Sequence, residues 1–249
     1  MRRYHADLHI HTCLSPCGEL EMSPMRIVKE AVDKGIDVIA ICDHNSAENV
    51  TAVMEASRGT DLIVLPAMEV TSKEEVHICG LFHRPEDATA MQALVYEHLD
   101  GENDEAVFGL QVVADSDDIV LSFNKKLLIG ATDLSLENIV QAIHGQNGLA
   151  IAAHIDREGF GILGQLGFIP ADLALDALEV SSRMSLNEAR YNFVEYRDYP
   201  FLRSSDAHML NDIGSARTPL LMEMASFDEL RMALKSEAGR CICYEGRET

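Results

Sequence analysis

Rhythm constrains this chain more than any other feature: short apolar runs of strand length alternate with helix-patterned stretches almost from end to end, and several runs stop at a histidine or a carboxylate. That alternation is the signature of βαβ units around a parallel sheet. The spacing predicts strands at residues 4–11, 37–42, 62–68, 76–82, 149–155, 177–181, 201–206 and 241–244, with helices at 23–34, 46–57, 86–99, 135–144, 185–197 and 226–236. Ser23 and Pro24 read as cap and first residue of the opening helix, with Ile27, Val28, Ala31 and Val32 as its apolar stripe and Gly35 as its stop. The strand candidates favour an α/β fold, a TIM-like barrel rather than an open sheet, expected in the irregular (β/α)7 form. A chain of 249 residues that is 47% hydrophobic can bury one such core, so a single domain over 1–249 is expected. Residues 100–134 break the rhythm; β-branched and polar residues alternate over 108–129 around Asp115-Ser116-Asp117-Asp118, which predicts an inserted hairpin or lid.

Residues two apart in a strand share a face, so Asp7, His9 and His11 in the run DLHIHT project together, and the two imidazoles can share a cation. The pair alone is weak, since roughly 0.4 such His-x-His pairs arise by chance at this histidine frequency. The other ionisable residues strengthen it. Asp43 and His44 end one apolar strand, Glu69 ends another, His77 lies in EEVHICGLF, His154 follows LAIAA, and Asp206 and His208 follow FLRSS. A parallel barrel gathers its strand C-termini on one face, where these residues would converge. A mixed nitrogen and oxygen set without Cys-x-x-Cys suits Mn, Fe or Zn, with Mg possible, rather than a structural zinc knuckle.

These motifs, Asp7-Leu8-His9-Ile10-His11-Thr12, Asp43-His44-Asn45, Glu69, His154 and Ser205-Asp206-Ala207-His208, make the chain similar to the polymerase and histidinol phosphatase (PHP) superfamily of metal-dependent phosphoesterases. The resemblance implies two or three divalent cations: one held by His9, His11, Glu69 and Asp206, a second by Glu69 as a bridge with His77 and His154, a third by His44 and His208. Family members add an Asp from a Ser-Asp-Gly turn, where this chain reads Ser15-Pro16-Cys17-Gly18-Glu19. Glu19 is the expected replacement, ahead of Cys17, because a hard carboxylate suits a phosphate-handling metal better than a thiolate. The chain also reads His154-Ile155-Asp156-Arg157 where His-Pro is commoner. Asp7 and Asp43 are expected to orient ligating imidazoles, His208 to protonate a leaving oxygen, and Arg157 and Arg183 to grip phosphate. Paired cations would lower the pKa of a bridging water to about 7 and clamp the phosphoryl oxygens, with no side-chain nucleophile required.

The charge narrows the ligand. With 41 acidic against 20 basic residues and a formal charge of -21, the chain repels anionic membranes and nucleic-acid backbones, so a small phosphomonoester or nucleotide is expected. A nucleoside 3′,5′-bisphosphate or short oligonucleotide end is the favoured case, histidinol phosphate the alternative; long nucleic acid is not expected. Six cysteines without a paired framework, no apolar leader in MRRYHADLHIHT and no membrane-length apolar run predict a cytoplasmic protein with reduced thiols. Two rivals remain at this level. Amidohydrolase barrels also open with His-x-His, but they often bridge metals with a carboxylated lysine, where this chain offers Glu69. A non-catalytic metal-binding module is the other, since fold does not guarantee activity. His144, at a helix end, complements the dipole, and His5, His83 and His98 match no motif.

Overall fold

The computed structural model describes residues 1–244. In chain order the elements are β1 (Arg2–Ile10), α1 (Pro24–Asp33), β2 (Val38–Ile41), α2 (Val50–Ala56), β3 (Ile63–Thr71), β4 (His77–Leu81), α3 (Pro85–Glu97), α4 (Glu105–Phe108), β5 (Val112–Ala114), β6 (Val120–Phe123), α5 (Leu136–Gly145), β7 (Leu149–Ala152), α6 (Ile162–Leu166), β8 (Ala177–Val180), α7 (Leu186–Asn192), β9 (Phe201–Arg203), β10 (Thr218–Met222), α8 (Phe227–Leu234) and β11 (Cys241–Ile242). Every residue of β2, β7 and β8 is buried, which is why these strands read as continuous apolar runs.

Nine strands form one sheet in the order β11-β10-β1-β2-β3-β4-β7-β8-β9. It curls until its ends meet. The His11 amide donates to Ala207 O at 3.0 Å, and the Ala207 amide to His9 O at 3.4 Å. At the other end of the gap, Thr218 Oγ1 in β10 accepts from the Arg203 amide at 2.8 Å and donates to Arg203 O at 2.9 Å. The product is a nearly closed TIM-like barrel walled by β1, β2, β3, β4, β7, β8 and β9, with β10 and β11 as an antiparallel addition beside β1.

The sheet is not all parallel, as the rhythm suggested: β4 runs antiparallel to both β3 and β7. The five residues between β3 and β4, too few for a crossover helix, fold back as a hairpin instead. The strand β10, TPLLM, is missed by the sequence pattern because a five-residue run containing Pro219 lacks a β-branched core. In α1, Ile27, Val28 and Ala31 face inward, but Val32 is 43% exposed. At about 100° per residue it falls outside the stripe that the other three define. Ser23 occupies the cap position without bonding its own helix; its hydroxyl donates to Asp118 Oδ2 at 2.7 Å, while Asp118 Oδ1 takes the Met25 amide at 2.8 Å. The inserted hairpin thus caps the first helix.

That hairpin, β5 and β6, docks on the loop after β1. The Val112 amide donates to Cys13 O at 3.0 Å, and Asn49 bonds Val112 O at 2.9 Å and the Ala114 amide at 3.0 Å. The barrel core holds Ile39, Ile41, Met68, Ile78, Phe82 and Phe201, all fully buried. Among the described residues no helix is long and apolar enough to cross a membrane, and no two cysteines are joined in a disulfide.

Candidate metal centre

One rim of the barrel collects the ligand-type side chains from separate strands. His9 lies near the end of β1 and His11 just beyond it; His44 follows β2, Glu69 lies in β3, His154 follows β7, and Asp206 and His208 follow β9. Reversal of β4 explains His77: as the first residue of an antiparallel strand, paired with Thr71, it stands at the rim where its neighbours end. Two of these positions hold their backbones in the left-handed region, His154 at φ 31° and Asp206 at φ 52°. Such strain costs about 1–3 kcal/mol and is retained where the side chain's aim matters.

Glu69 is the hub. Its Oε1 lies 2.8 Å from His77 Nδ1, 3.2 Å from His154 Nε2 and 3.4 Å from His9 Nε2; its Oε2 lies 3.0 Å from His44 Nδ1 and 3.5 Å from His11 Nε2. Asp206 Oδ1 stands 3.0 Å from His11 Nε2 and 3.4 Å from His9 Nε2, and those two nitrogens are 3.1 Å apart. Despite this crowding, His44 Nδ1, His77 Nδ1, Glu69 Oε2 and Asp206 Oδ1 are buried without a hydrogen bond of acceptable geometry. Orphaned buried polar atoms are costly. Two ligand atoms about 2.1 Å from one tetrahedral ion stand roughly 3.4 Å apart, and the observed separations cluster about that value. The donor set therefore fits divalent cations, in groups His9/His11/Asp206, His44/Glu69/His77 and His11/His44/His208.

Charge around the hub follows from burial in contact with opposite charge. Burial alone would push the Glu69 carboxyl up, but His77, His9 and His44 hold it well below the usual range. Asp206 is likewise held low against its burial by His9 and His11. Burial lowers His11, with His208 and His44 adding to it, and burial brings His77 down to about 4. His9 moves the other way: burial opposes protonation, but the carboxylates of Glu179, Glu69 and Asp206 outweigh it.

Glu179 is the residue that sequence reasoning missed. It sits in β8, is buried, accepts from the His154 amide at 3.3 Å and lies 2.9 Å from His9 Nδ1, fixing that ring so that Nε2 faces the hub. Its only signal in sequence is a carboxylate inside the apolar run ALEV. Asp43 reaches an imidazole through an intermediary: it accepts from Thr12 N, Thr12 Oγ1 and Ser15 Oγ, each at 2.7 Å, and Ser15 Oγ lies 2.9 Å from His11 Nδ1. Asp7 does not orient a ring. Its oxygens accept from the Ser205 amide at 2.9 Å and the Gly214 amide at 2.8 Å, so it fixes the backbone leading into Asp206, and burial pushes its carboxyl up to about 6.

Both candidates in the Ser15–Glu19 turn, Cys17 and Glu19, are exposed; the Glu19 amide donates to His208 O and its carbonyl accepts from the Met22 amide, each at 2.9 Å. Desolvation would raise the Cys17 thiol, but His208 and His44 bring it down to about 7. A cavity of about 170 Å³ opens over the cluster, lined by His44, Glu69, His77, His154, Asp206 and His208 with Arg157, Phe160 and Ile129. Arg157 Nη1 donates to Asp206 Oδ2, and Phe160 stacks on His77 with centroids 4.5 Å apart. Arg183 is exposed and does not line this cavity. A larger cleft of about 340 Å³ by Arg197, Lys235 and Tyr244 contains none of the ligand groups, so size does not locate the site. His144 pairs with Asp176 at 2.8 Å and His98 with Asp133 at 2.6 Å, away from the cluster.

A family model described as PHP domain matches residues 7–163, and one described as PHP-associated matches 185–238. An uncharacterized Bacillus subtilis protein, YqxK, is 27% identical over 256 residues, covering 97% of this chain and 64% of that one. Among solved structures, the lesion-specific endonuclease Q of Pyrococcus furiosus superposes with a TM-score of 0.76 at 20% identity, covering 97% of this chain and 58% of that one. A second endonuclease Q structure, 19% identical, is a complex with a 27-mer duplex bearing an abasic lesion at the active site. A candidate metal-dependent phosphoesterase from Bifidobacterium adolescentis gives a TM-score of 0.61 at 19% identity, covering 94% of this chain and 96% of that one. The chain thus spans less than two thirds of the length of YqxK and of endonuclease Q.

Proposed function

The chain belongs to the PHP domain family, and from that premise we propose that it is a metal-dependent hydrolase of phosphoric esters. The observation that carries the reading is the convergence of five histidine rings on Glu69, with the unpaired oxygen of Asp206 beside two of them, beneath one small cavity. His9, His11, Glu69 and Asp206 would hold one cation; Glu69, His77 and His154 a second; His44 and His208 a third. Bound cations supply a water acidic enough to attack phosphorus and positive charge for the phosphoryl oxygens.

The rest falls to the chain's own groups. Arg157, on the cavity wall, is placed to bind a phosphate oxygen. His208 donates through Nδ1 to Asp206 O at 2.9 Å, which leaves Nε2 free as a ligand or, when protonated, as donor to the departing oxygen. Phe160 and Ile129 limit water over the cluster. No lysine lines the cavity among the described residues, which disfavours an amidohydrolase with a carboxylated lysine.

A cavity this small supports a small phosphomonoester or nucleotide end, with nucleoside 3′,5′-bisphosphate favoured and histidinol phosphate as alternative. Long nucleic acid, disfavoured by the charge of -21, returns as a second reading because the endonuclease Q complex holds a duplex with its lesion at the active site. Only 58% of the first endonuclease Q chain is matched, so what grips the duplex there need not lie in the shared barrel. The test is hydrolysis by chelator-stripped protein with Mn, Fe(II), Zn or Mg restored, on a bisphosphonucleoside, histidinol phosphate, single strands of increasing length and an abasic duplex. Metal-dependent phosphate release lost in folded Glu69→Ala is expected. Turnover in that variant would refute the hub, and kcat/KM rising with oligonucleotide length and collapsing with salt would establish the nuclease reading.

A further inference from the structure

We propose that Phe160 is the platform on which the base of a nucleotide substrate stacks while its phosphate lies over the ligand cluster. The inference rests on the hydrolase reading above and deepens it, by assigning a specificity residue to the same cavity. Phe160 lines that cavity and, apart from the histidines, is its only ring among the described residues. One face of the phenyl ring covers His77, with centroids 4.5 Å apart and planes 18° from parallel. The residue is nevertheless 42% exposed. It therefore offers a flat apolar surface beside a polar cavity, and any nucleobase can cover such a surface because every base has a π-face.

The chain holds the ring there against its backbone preference. Phe160 has φ 60°, in the left-handed region that bulky side chains rarely adopt, and such outliers gather where a side chain must be aimed. Two contacts enforce it. The Phe160 carbonyl accepts from the His77 amide at 2.9 Å, and the adjacent Gly161 must lack a side chain, since a Cβ there would stand 2.4 Å from Arg157 O and 2.9 Å from His154 O. The Arg157 amide donates in turn to His154 O at 2.9 Å. One short loop thus carries His154 on Glu69, Arg157 on Asp206 and Phe160 on His77. A guanidinium for phosphate and a partly open aromatic ring stand three residues apart on the same cavity wall.

Support of His77 uses only the covered face of the ring. Stacking of a base would use the open one, and it is tolerant of base identity, so the preference is for a base over none rather than for one base over another.

Two measurements on the metal-restored protein test this. Deoxyadenosine 3′,5′-bisphosphate is compared with tetrahydrofuran 3′,5′-bisphosphate, which keeps both phosphates and lacks the base. Wild type is expected to favour the former in kcat/KM by about 5- to 150-fold, Phe160→Leu to lose most of that preference and Phe160→Tyr to keep it. Because the chain has no tryptophan, Phe160→Trp places a single fluorophore at the cavity; the methylenephosphonate analogue of the nucleotide, which has no ester oxygen to release, should quench its emission saturably, and the analogue without a base should not. A preference unchanged in Phe160→Leu, with both esters slowed alike, would reduce Phe160 to a support for His77 and overturn the proposal. So would quenching by neither analogue, or quenching by histidinol phosphate alone. Base-dependent quenching without turnover of either ester by wild type would instead sink the hydrolase reading and leave the stacking platform standing.

Discussion

Glu179 illustrates how a residue can govern a site from behind. Its carboxylate sits 2.9 Å from His9 Nδ1 inside β8, and a metal-binding imidazole whose outer nitrogen loses such a partner is free to rotate. Glu179→Gln is expected to weaken metal affinity by about 10- to 100-fold, measured by competition with a chromophoric chelator, with the circular dichroism spectrum preserved. Unchanged affinity would reduce Glu179 to packing. The contrast with the other site residues says what sequence can reveal. His9, His11, His44, Glu69, His154, Asp206 and His208 were legible because polar residues at or just past the ends of apolar strands have few structural reasons to be there. Glu179 stood inside its strand, where the alternation rule cannot separate a carboxylate facing the barrel interior from one facing outward.

Among the elements, β4 departed most from expectation, because apolar patterning encodes burial and carries no direction. Its reversal still delivered His77, by presenting the strand's first residue to the rim. The inserted hairpin was visible as a break in rhythm, but its partnership with α1 was not, since Ser23 and Asp118 are 95 residues apart. Asp118 accepts from both Ser23 Oγ and the Met25 amide, so Asp118→Ala should destabilise the protein by about 1 kcal/mol in urea denaturation, in line with loss of a helix cap. Ser23→Ala should cost less than its own effect once Asp118 is gone. Strict additivity in that double-mutant cycle would show that the two side chains do not act as one cap.

For the whole molecule, charge and pH meet at Asp7, buried where ionisation is costly. Its folded value of about 6 lies above the ordinary 3.8, so its contribution to stability is fully present below 3.8 and is lost as pH rises through 6. The span corresponds to roughly 3 kcal/mol. Ion-paired carboxylates act in the opposite sense: Asp87, bonded to Arg84, and Glu229, bonded to Arg240, are depressed and lose their contribution as pH falls. His77, brought down to about 4 by burial, is common to wild type and Asp7→Asn, so the difference between the two isolates Asp7. In metal-stripped protein that difference is expected to shift in favour of wild type by about that amount from pH 7 to pH 4; a flat difference would contradict the buried-carboxyl account. The place where the barrel closes has a last consequence. The curled sheet meets itself at His9, His11 and Ala207, and the ligand group His9, His11 and Asp206 straddles that junction. An ion held there would rivet β1 to the segment after β9, fastening a loop that runs from His9 to Asp206, so the cofactor would serve as a structural clasp as well as a reagent, and its removal would loosen the molecule first along that join.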